Sequence, residues 1–518
     1  MLSPRMRGVS PDGCFGFAKA RDRLLQDHFM VIAGQMPPSD VQKHEDVAMF
    51  SELVFSSTCG SGERSSERAP RVALLTPYNG GNLGDAAIQD AVILNLRLRL
   101  PRAQFSGITL NCDSFLERHG VGAFPLDRGT PLPHAEGGRT HGRTGKEGSI
   151  DGKPSRKNKH ASQIRRTLKS MPELERSLKA IHNWITAPWR EFRHWLRGYW
   201  FLRTQNLLIV SGGGQLDEEW GGPWAHPYAL FKWAVLARIA QVPYAIASVG
   251  VCKVSSMNSR LLLSVALRLA QYRSFRDQHS KKIAAGILQR CSTDPVIPDL
   301  AFNLSLSATS RYPSQRTVVT TRPVIAVSLI AYAKPRNWPY QNHRLYIRYL
   351  REMAQVVSEL IKRGNCLVIV YSSLGDDQSV ISDFLEQLDD QSREAISREI
   401  QFPEIQAWQD FVAAVKGADF LIASRLHSTI LGFVTQTPTI AISFDPKVDW
   451  VMEDLGMTDY LLQIRDFVAE DVVRALDRIA GRREAVVNEI ASYQSAITST
   501  SEKQYDALAA LAVGKPRR

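Results

Sequence analysis

The sequence predicts an α/β protein made of two Rossmann-like domains that face each other across a cleft. Short apolar runs such as Val72 to Leu75, Leu207 to Val210 and Val324 to Ile330 have the length and composition of strands buried on both faces of a parallel sheet. Each is followed by a turn and then by a stretch in which apolar side chains recur at helical spacing. The series begins at residue 71 and starts again near residue 323, so the chain holds two βα sets.

In the first set, Tyr78-Asn79-Gly80-Gly81-Asn82-Leu83-Gly84-Asp85 is a glycine-rich turn, and Ala86 to Leu100 then places Ile88, Val92, Leu96 and Leu100 on one helix face. The strand Leu207 to Val210 is followed by the turn Ser211-Gly212-Gly213-Gly214 and a helix from Pro227 to Ala240. Tyr244 to Val249 is a strand and Ser259 to Leu269 a helix. In the second set, Val324 to Ile330, Leu367 to Tyr371, Phe420 to Ala423 and Thr439 to Ser443 read as strands. His343 to Lys362, Asp410 to Lys416 and Thr429 to Thr435 read as helices, and Glu470 to Gly481 and Glu484 to Leu511 as helices closing the chain. The expected boundaries are a poorly structured extension over 1–69, a first domain over 70–310 with a basic insert at about 130–200, a second domain over 320–462, and C-terminal helices over 463–518. Two such domains across a cleft form the GT-B arrangement. In open α/β sheets ligands sit beyond the carboxyl ends of the strands. The glycine turns and the residues after Ala423 and Ser443 fall there.

The 518 residues are too many for one ordinary domain, and 44% hydrophobic with 22% charged residues is normal for a globular protein. No apolar run is long enough to span a membrane, and the start, Met1-Leu2-Ser3-Pro4-Arg5, lacks the pattern of a secretory signal. The six cysteines, at 14, 59, 112, 252, 291 and 366, form no CxxC pair, which suits a reducing cytoplasm. The net charge of +12 is local. From Arg139 to Arg203 there are 16 Lys plus Arg and 5 Asp plus Glu, which is +11. The rest is close to neutral, which argues against a nucleic-acid partner. Within that segment, Trp189, Phe192, Trp195, Leu196 and Tyr199 follow helical spacing with Arg190, Arg193 and Arg197 around them. That composition suits a helix at an anionic membrane surface, and equally a helix packed on the first domain with a solvated basic face.

The strongest chemical grouping is Ala423-Ser424-Arg425-Leu426-His427-Ser428 with Phe444-Asp445-Pro446-Lys447 after the next strand. In an extended segment, Arg425 and His427 share one side. An arginine fork there holds a phosphate or carboxylate, a histidine exchanges a proton near neutral pH, and Lys447 adds a second positive charge. The alternative is that Arg425 caps a helix or pairs with a carboxylate while His427 is a satisfied core residue. Asp85 is either a cap or first-turn acid of the helix after its glycine turn, or a hydrogen-bonding partner for a sugar hydroxyl; the cap reading is slightly preferred. No metal-ligand cluster appears.

Asn82-Leu83-Gly84-Asp85-Ala86-Ala87-Ile88 resembles the NxGDxAI signature of the polysaccharide pyruvyl transferase family. Ser211 to Gly214 resembles that family's mid-domain glycine turn, Ser274-Phe275-Arg276-Asp277 its RD element, and Pro298-Asp299-Leu300-Ala301-Phe302 its DxAF element. Ala418 to Ser428 is the closest match, and Pro438 and Phe444 to Lys447 follow at the family's spacing. The resemblance runs from about 71 to about 460 in the right order. It departs at Ala86, where the family often has Glu, and after the strand that opens the second domain. There a further anion-binding arginine is replaced by Lys334 or Arg336, slightly displaced.

The resemblance implies transfer of a carboxyethylidene group from phosphoenolpyruvate to two hydroxyls of one sugar, with no other cofactor, in a surface polysaccharide or its lipid-linked precursor. It implies His427 as the catalytic acid or base and Arg425, Lys447, Ser424, Ser428 and Asp445 as donor-binding residues. It implies Asn82, Gly84, Asp85, Gly213 and Gly214 as acceptor or cleft residues of the first domain. The expected location is the cytoplasm, with peripheral contact to the inner membrane face through the basic insert. The rival readings are a nucleotide-sugar glycosyltransferase on the same fold, with Glu453 as its candidate ribose contact, and a non-catalytic glycan-binding protein.

Overall fold

A computed structural model describes residues 69–130, 172–219, 221–304, 322–335, 338 and 341–514, with side chains in the stretch 172–185 left aside. The expected extension before residue 69, the first half of the basic insert and Arg336 lie outside the described residues. The residues from Ala69 to Arg518 form one compact unit.

The unit holds two six-stranded sheets, every strand pairing parallel to its neighbours. The first sheet contains β1 (Arg71–Leu75), β2 (Gln104–Thr109), β3 (Gly122–Pro125), β4 (Leu207–Ser211), β5 (Tyr244–Val249) and β6 (Tyr272–Phe275), in the order β3-β2-β1-β4-β5-β6. The second contains β7 (Val324–Ser328), β8 (Cys366–Val370), β9 (Ile400–Gln401), β10 (Phe420–Ala423), β11 (Thr439–Ser443) and β12 (Leu461–Gln463), in the order β12-β11-β10-β7-β8-β9. Both therefore reverse direction once, between β1 and β4 and between β7 and β10. Such switch points open a crevice beyond the strand ends.

Helix α1 (Leu83–Arg99) begins directly after the first glycine turn. The Asn82 side chain caps it, accepting from the backbone N–H of Gly84 at 3.0 Å and of Asp85 at 3.4 Å. Helices α2 (Cys112–His119), α3 (Pro172–Arg203), α4 (His226–Ala240), α5 (Met257–Leu269) and α6 (Gln278–Ile287) complete the first half, with α3, α4 and α5 packed side by side. In the second half lie α7 (His343–Lys362), α8 (Val380–Leu385), α9 (Asp390–Glu399), α10 (Trp408–Lys416), α11 (Leu426–Val434) and α12 (Pro446–Asp454). Helices α13 (Ala469–Gly481) and α14 (Arg483–Val513) follow.

The sequence reading did not place β2, β3, β6, β9 or β12, and two further features go beyond it. Helix α11 starts at Leu426, three residues earlier than the periodicity suggests, because the chain turns into it immediately after Ser424 and Arg425. The closing helix α14 crosses back to the first half: Gln504 accepts from Ser274 Oγ at 2.5 Å and from the Tyr272 hydroxyl at 3.3 Å, and Arg99 pairs with Asp506 at 2.5 Å. The halves are also joined by backbone. Leu83 N–H donates to Ser372 O at 3.1 Å, and Leu374 N–H to Gly81 O at 2.8 Å.

Candidate active site

The two switch points open onto one cavity of about 1060 Å³, lined from the first half by Asn82, Asp85, Gly214, Asp217 and Arg276 and from the second by Arg425, His427, Phe444, Asp445 and Lys447. His427 sits in the first turn of α11 while Arg425 is its extended N-cap residue. The pair therefore does not share a strand face as the spacing suggested; a helix start brings both to the cavity.

The His427 ring lies against the backbone of Gly84, where a β-carbon would fall 1.9 Å from its Cγ. No side chain larger than hydrogen fits at 84 with the histidine in place, which gives the glycine of the NxGD signature a physical reason. Nε2 of His427 is buried without a hydrogen-bond partner, and its nearest carboxylate, Asp299, is 3.9 Å away, too far to bond. Asp299 itself accepts from the Ala301 N–H at 3.0 Å and from Arg276 Nη1 at 3.4 Å.

Arg276 is 3% exposed and is held by two carboxylates, Asp277 through Nε and Asp299 through Nη1, each at 3.4 Å. Its Nη2 is buried with no partner among the described residues. A buried, unsatisfied guanidinium nitrogen is costly, and Arg276 lines the cavity.

Arg425 is committed differently. Its Nε and Nη2 form a fork on the fully buried Asp377, at 2.5 and 2.7 Å, and its guanidinium stacks over Trp338 at 5.6 Å. The guanidinium edge expected to grip the donor is taken by this carboxylate. Asp377 also accepts from the Ala331 N–H at 3.1 Å, and burial raises its pKa against the pull of Arg425.

Lys447 reaches across the cavity from α12. Its Nζ is 3.7 Å from Asp445 Oδ2 and would lie 3.3 Å from a β-carbon on Gly214. Burial works against its charge, but Cys252 and Asp445 beside it more than offset this, and its pKa lies above the usual lysine value. Two carboxyls of the first half face these cations. Burial raises Asp85, with Asp299 adding to the effect and His427 opposing it. Burial pushes Asp217 up to about 6, although Lys447 pulls it down. Both carboxyls line the cavity, and Asp217 is poised to exchange a proton near neutral pH.

The polysaccharide pyruvyl transferase family model matches residues 82–446, most of the chain, from the Asn82 cap of α1 to the first residue of α12. The chain belongs to the polysaccharide pyruvyl transferase family. No curated protein matches it in sequence. Solved structures resemble it at the level of the fold. Anabaena HepE in complex with UDP is 13% identical with a TM-score of 0.44, covering 85% of this chain and 98% of its own. A UDP-N-acetylglucosamine 2-epimerase candidate from Listeria monocytogenes is 10% identical with a TM-score of 0.46, covering 84% and 97%. The E. coli ADP-heptose heptosyltransferase II is 13% identical with a TM-score of 0.38, covering 80% and 99%. The fold is GT-B, as the two facing parallel sheets require.

In this pyruvyl transferase family member the expected site residues divide into groups. His427, Arg425, Lys447, Asp445, Asn82, Asp85 and Gly214 line the cavity, and Gly213, at φ 70°, makes the turn beside Asp85. Asp445 acts as the α12 cap, accepting from Lys447 N–H at 2.9 Å. Asn82, not Asp85, caps α1; Asp85 is the first-turn acid of that helix and also lines the cavity. Ser424 and Ser428 are fully buried behind the wall. Ser424 Oγ accepts from the Tyr349 hydroxyl at 3.0 Å, and Ser428 bonds Ser328 and Ser372 at 2.8 and 2.9 Å. They brace the loop from below and do not reach the cavity.

Lys334 is spent on Asp383 at 2.9 Å and on Ser379 and is not part of the cavity lining; the other candidate for the displaced clamp, Arg336, lies outside the described residues. Glu453, the candidate ribose contact, is half exposed beside His279 at 3.7 Å and is not part of the cavity lining. Sequence reasoning missed Arg276 and Asp217 as site residues. Arg276 stood in a recognised motif. Asp217 had only its place three residues past a glycine turn at a strand end as a signal. Cys252 is buried beside Lys447, and burial raises its pKa. Among the described residues, no group of three His, Cys, Asp or Glu side chains is placed to hold a metal ion.

Proposed function

We propose that this protein transfers a pyruvyl group from phosphoenolpyruvate to two hydroxyls of a sugar in a surface polysaccharide or its lipid-linked precursor, forming a cyclic ketal. The observation that supports this most is that Arg276, Arg425, Lys447 and His427 line one cavity. Phosphoenolpyruvate carries a phosphate and a carboxylate, and a cavity with three fixed cations neutralises both without reorganising.

The chemistry needs a proton on the methylene carbon of the donor. His427, as imidazolium, supplies it, and the neighbouring C2 becomes oxocarbenium-like. A sugar hydroxyl oxygen bonds to C2 and gives up its proton to Asp85 or Asp217. The bond from C2 to the phosphate oxygen breaks, and inorganic phosphate leaves against the arginines and Lys447. The second hydroxyl adds to C2, closing the ring. Of the two hydroxyl protons, one replaces that used to make the new methyl group and one leaves with phosphate. The cations stabilise the departing phosphate, so their contribution grows toward the transition state.

The test is release of phosphate from phosphoenolpyruvate by the purified full chain, with and without candidate saccharides, followed by mass spectrometry of the saccharide. Saccharide-dependent release with gain of one carboxyethylidene group is the expected result. Consumption of a nucleotide sugar with phosphoenolpyruvate untouched would overturn the reading in favour of a glycosyltransferase.

A further inference from the structure

Helix α3 has two apolar faces where a surface helix needs one. Its inner face is committed. Glu191 accepts from Lys232 Nζ at 3.2 Å and from the Tyr228 hydroxyl at 3.0 Å, His194 Nε2 donates to Pro125 O at 3.1 Å, and Trp195 Nε1 donates to Tyr228 at 3.0 Å. Its outer face carries Trp189, Phe192, Leu196 and Trp200, which are 62, 56, 48 and 60% exposed. At 100° per residue these four fall within one narrow stripe opposite His194 and Gly198, with Arg190, Arg193 and Arg197 along one flank, all exposed. Trp189 and Phe192 stack on each other at 5.7 Å rather than on the body of the protein. A contiguous stripe of this kind marks an interaction surface.

We propose that the outer face of α3 docks this protein on an anionic lipid surface. Tryptophans beside arginines on one helix face suit the boundary between headgroups and acyl chains, where rings sit amphipathically and the guanidinium groups meet lipid phosphates. The charge is one-sided. Among residues 186–203 the one acid is Glu191, and it is turned inward onto Lys232 and Tyr228. A two-fold contact of α3 with its own copy would set this basic flank against itself with no carboxylate to offset it. Among the described residues no helix is long and apolar enough to cross a membrane, so the contact is parallel to the surface.

The inner face of the same helix borders the cavity. Glu191, Tyr228 and Trp224 line the cavity, and Trp224, 69% exposed, contacts the Tyr228 ring, so the wall of the cavity and the outer stripe belong to one helix layer. Docking on lipid goes beyond the proposed chemistry and stands or falls separately from it.

The experiment is flotation of the full chain with vesicles of phosphatidylcholine alone or with phosphatidylglycerol, at low and high salt. Three proteins are compared: the parent, Trp189→Ser/Phe192→Ser/Trp200→Ser, and Arg190→Gln/Arg193→Gln. All substituted side chains are exposed, and thermal unfolding checks that the fold is kept. The parent is expected to float with anionic vesicles at low salt, and the aromatic variant to lose that binding. The arginine variant is expected to bind roughly 25-fold more weakly, about fivefold for each charge near the surface. Failure of the parent to bind anionic vesicles at low salt overturns the proposal, as does equal binding by parent and aromatic variant. A parent that is dimeric in sedimentation where the aromatic variant is monomeric overturns it in favour of a self-interface.

Discussion

The two sheets share one strand order, yet the ends that face each other across the cavity differ in chemistry. The second sheet presents His427, Arg425 and Lys447; the first presents the carboxyls of Asp85 and Asp217 and the backbone of Gly214, with Arg128, Lys232 and Arg276 as its cations in the lining. The two arginines make the contrast sharper. Arg425 stands at the more predictable position but gives two nitrogens to Asp377, whereas Arg276 is deeper, shared weakly between two carboxylates, and keeps one nitrogen unpartnered. What an arginine can offer a ligand is thus decided by its partners, not by its place at a strand end.

The contrast is tested most severely at the proton donor. His427→Ala should lower turnover by about two to four orders of magnitude with little change in donor affinity, as expected for a group needed in the transition state. His427→Gln should be equally impaired while folding normally. A fully active Gln variant, read by steady-state phosphate release, would make His427 a packing residue and move the chemistry to the first sheet.

The arginines should separate next. Arg276→Lys is expected to raise the apparent donor KM about a hundredfold, through loss of one charge-assisted hydrogen bond in a closed site. Arg425→Lys should change that KM less and instead lower stability, because Asp377 loses its fork. The reverse ranking, in donor titrations and urea unfolding of both variants, would show that Arg425 releases Asp377 to take the ligand.

Gly84→Ala probes the contact that joins the halves. The new methyl group cannot coexist with the His427 ring, and a displacement of about 1 Å should cost roughly a hundredfold in turnover. Activity within a few-fold of the parent would mean the halves separate in the working enzyme.

The smallest effect concerns pH. Asp217 is held near 6 by burial, above its unfolded value of 3.8, so its proton contributes stability that is fully present below pH 3.8 and lost as pH rises through 6. Asp217→Asn does not titrate. Its stability relative to the parent should therefore rise between pH 4 and 6, by up to about 3 kcal/mol, and stay level above. A flat difference in chemical denaturation from pH 4 to 7 would place Asp217 in water.

By itself the sequence determined the parts that rest on local pattern. Apolar runs bounded by glycine turns gave β1, β4, β5, β7, β8, β10 and β11, and the spacing of Arg425, His427 and Lys447 located one wall of the cavity, because strand burial and strand-end turns are written in neighbouring residues. The strands β2, β3, β6, β9 and β12 were missed: four of them have only 2 to 4 residues and carry too little periodicity, and β2, Gln104–Thr109, mixes polar and small residues with its apolar ones. The start of α11 was misplaced for a related reason: a helix that begins at an arginine with no side-chain cap bond leaves no capping signal. Only the tertiary structure decided which groups are available. Asp377 occupies Arg425 from 48 residues away in sequence, Asp383 occupies Lys334, and burial lifts Asp217 beside Lys447 from the other half. Partner choice and desolvation depend on what packs against a side chain across the fold, and a linear pattern carries neither.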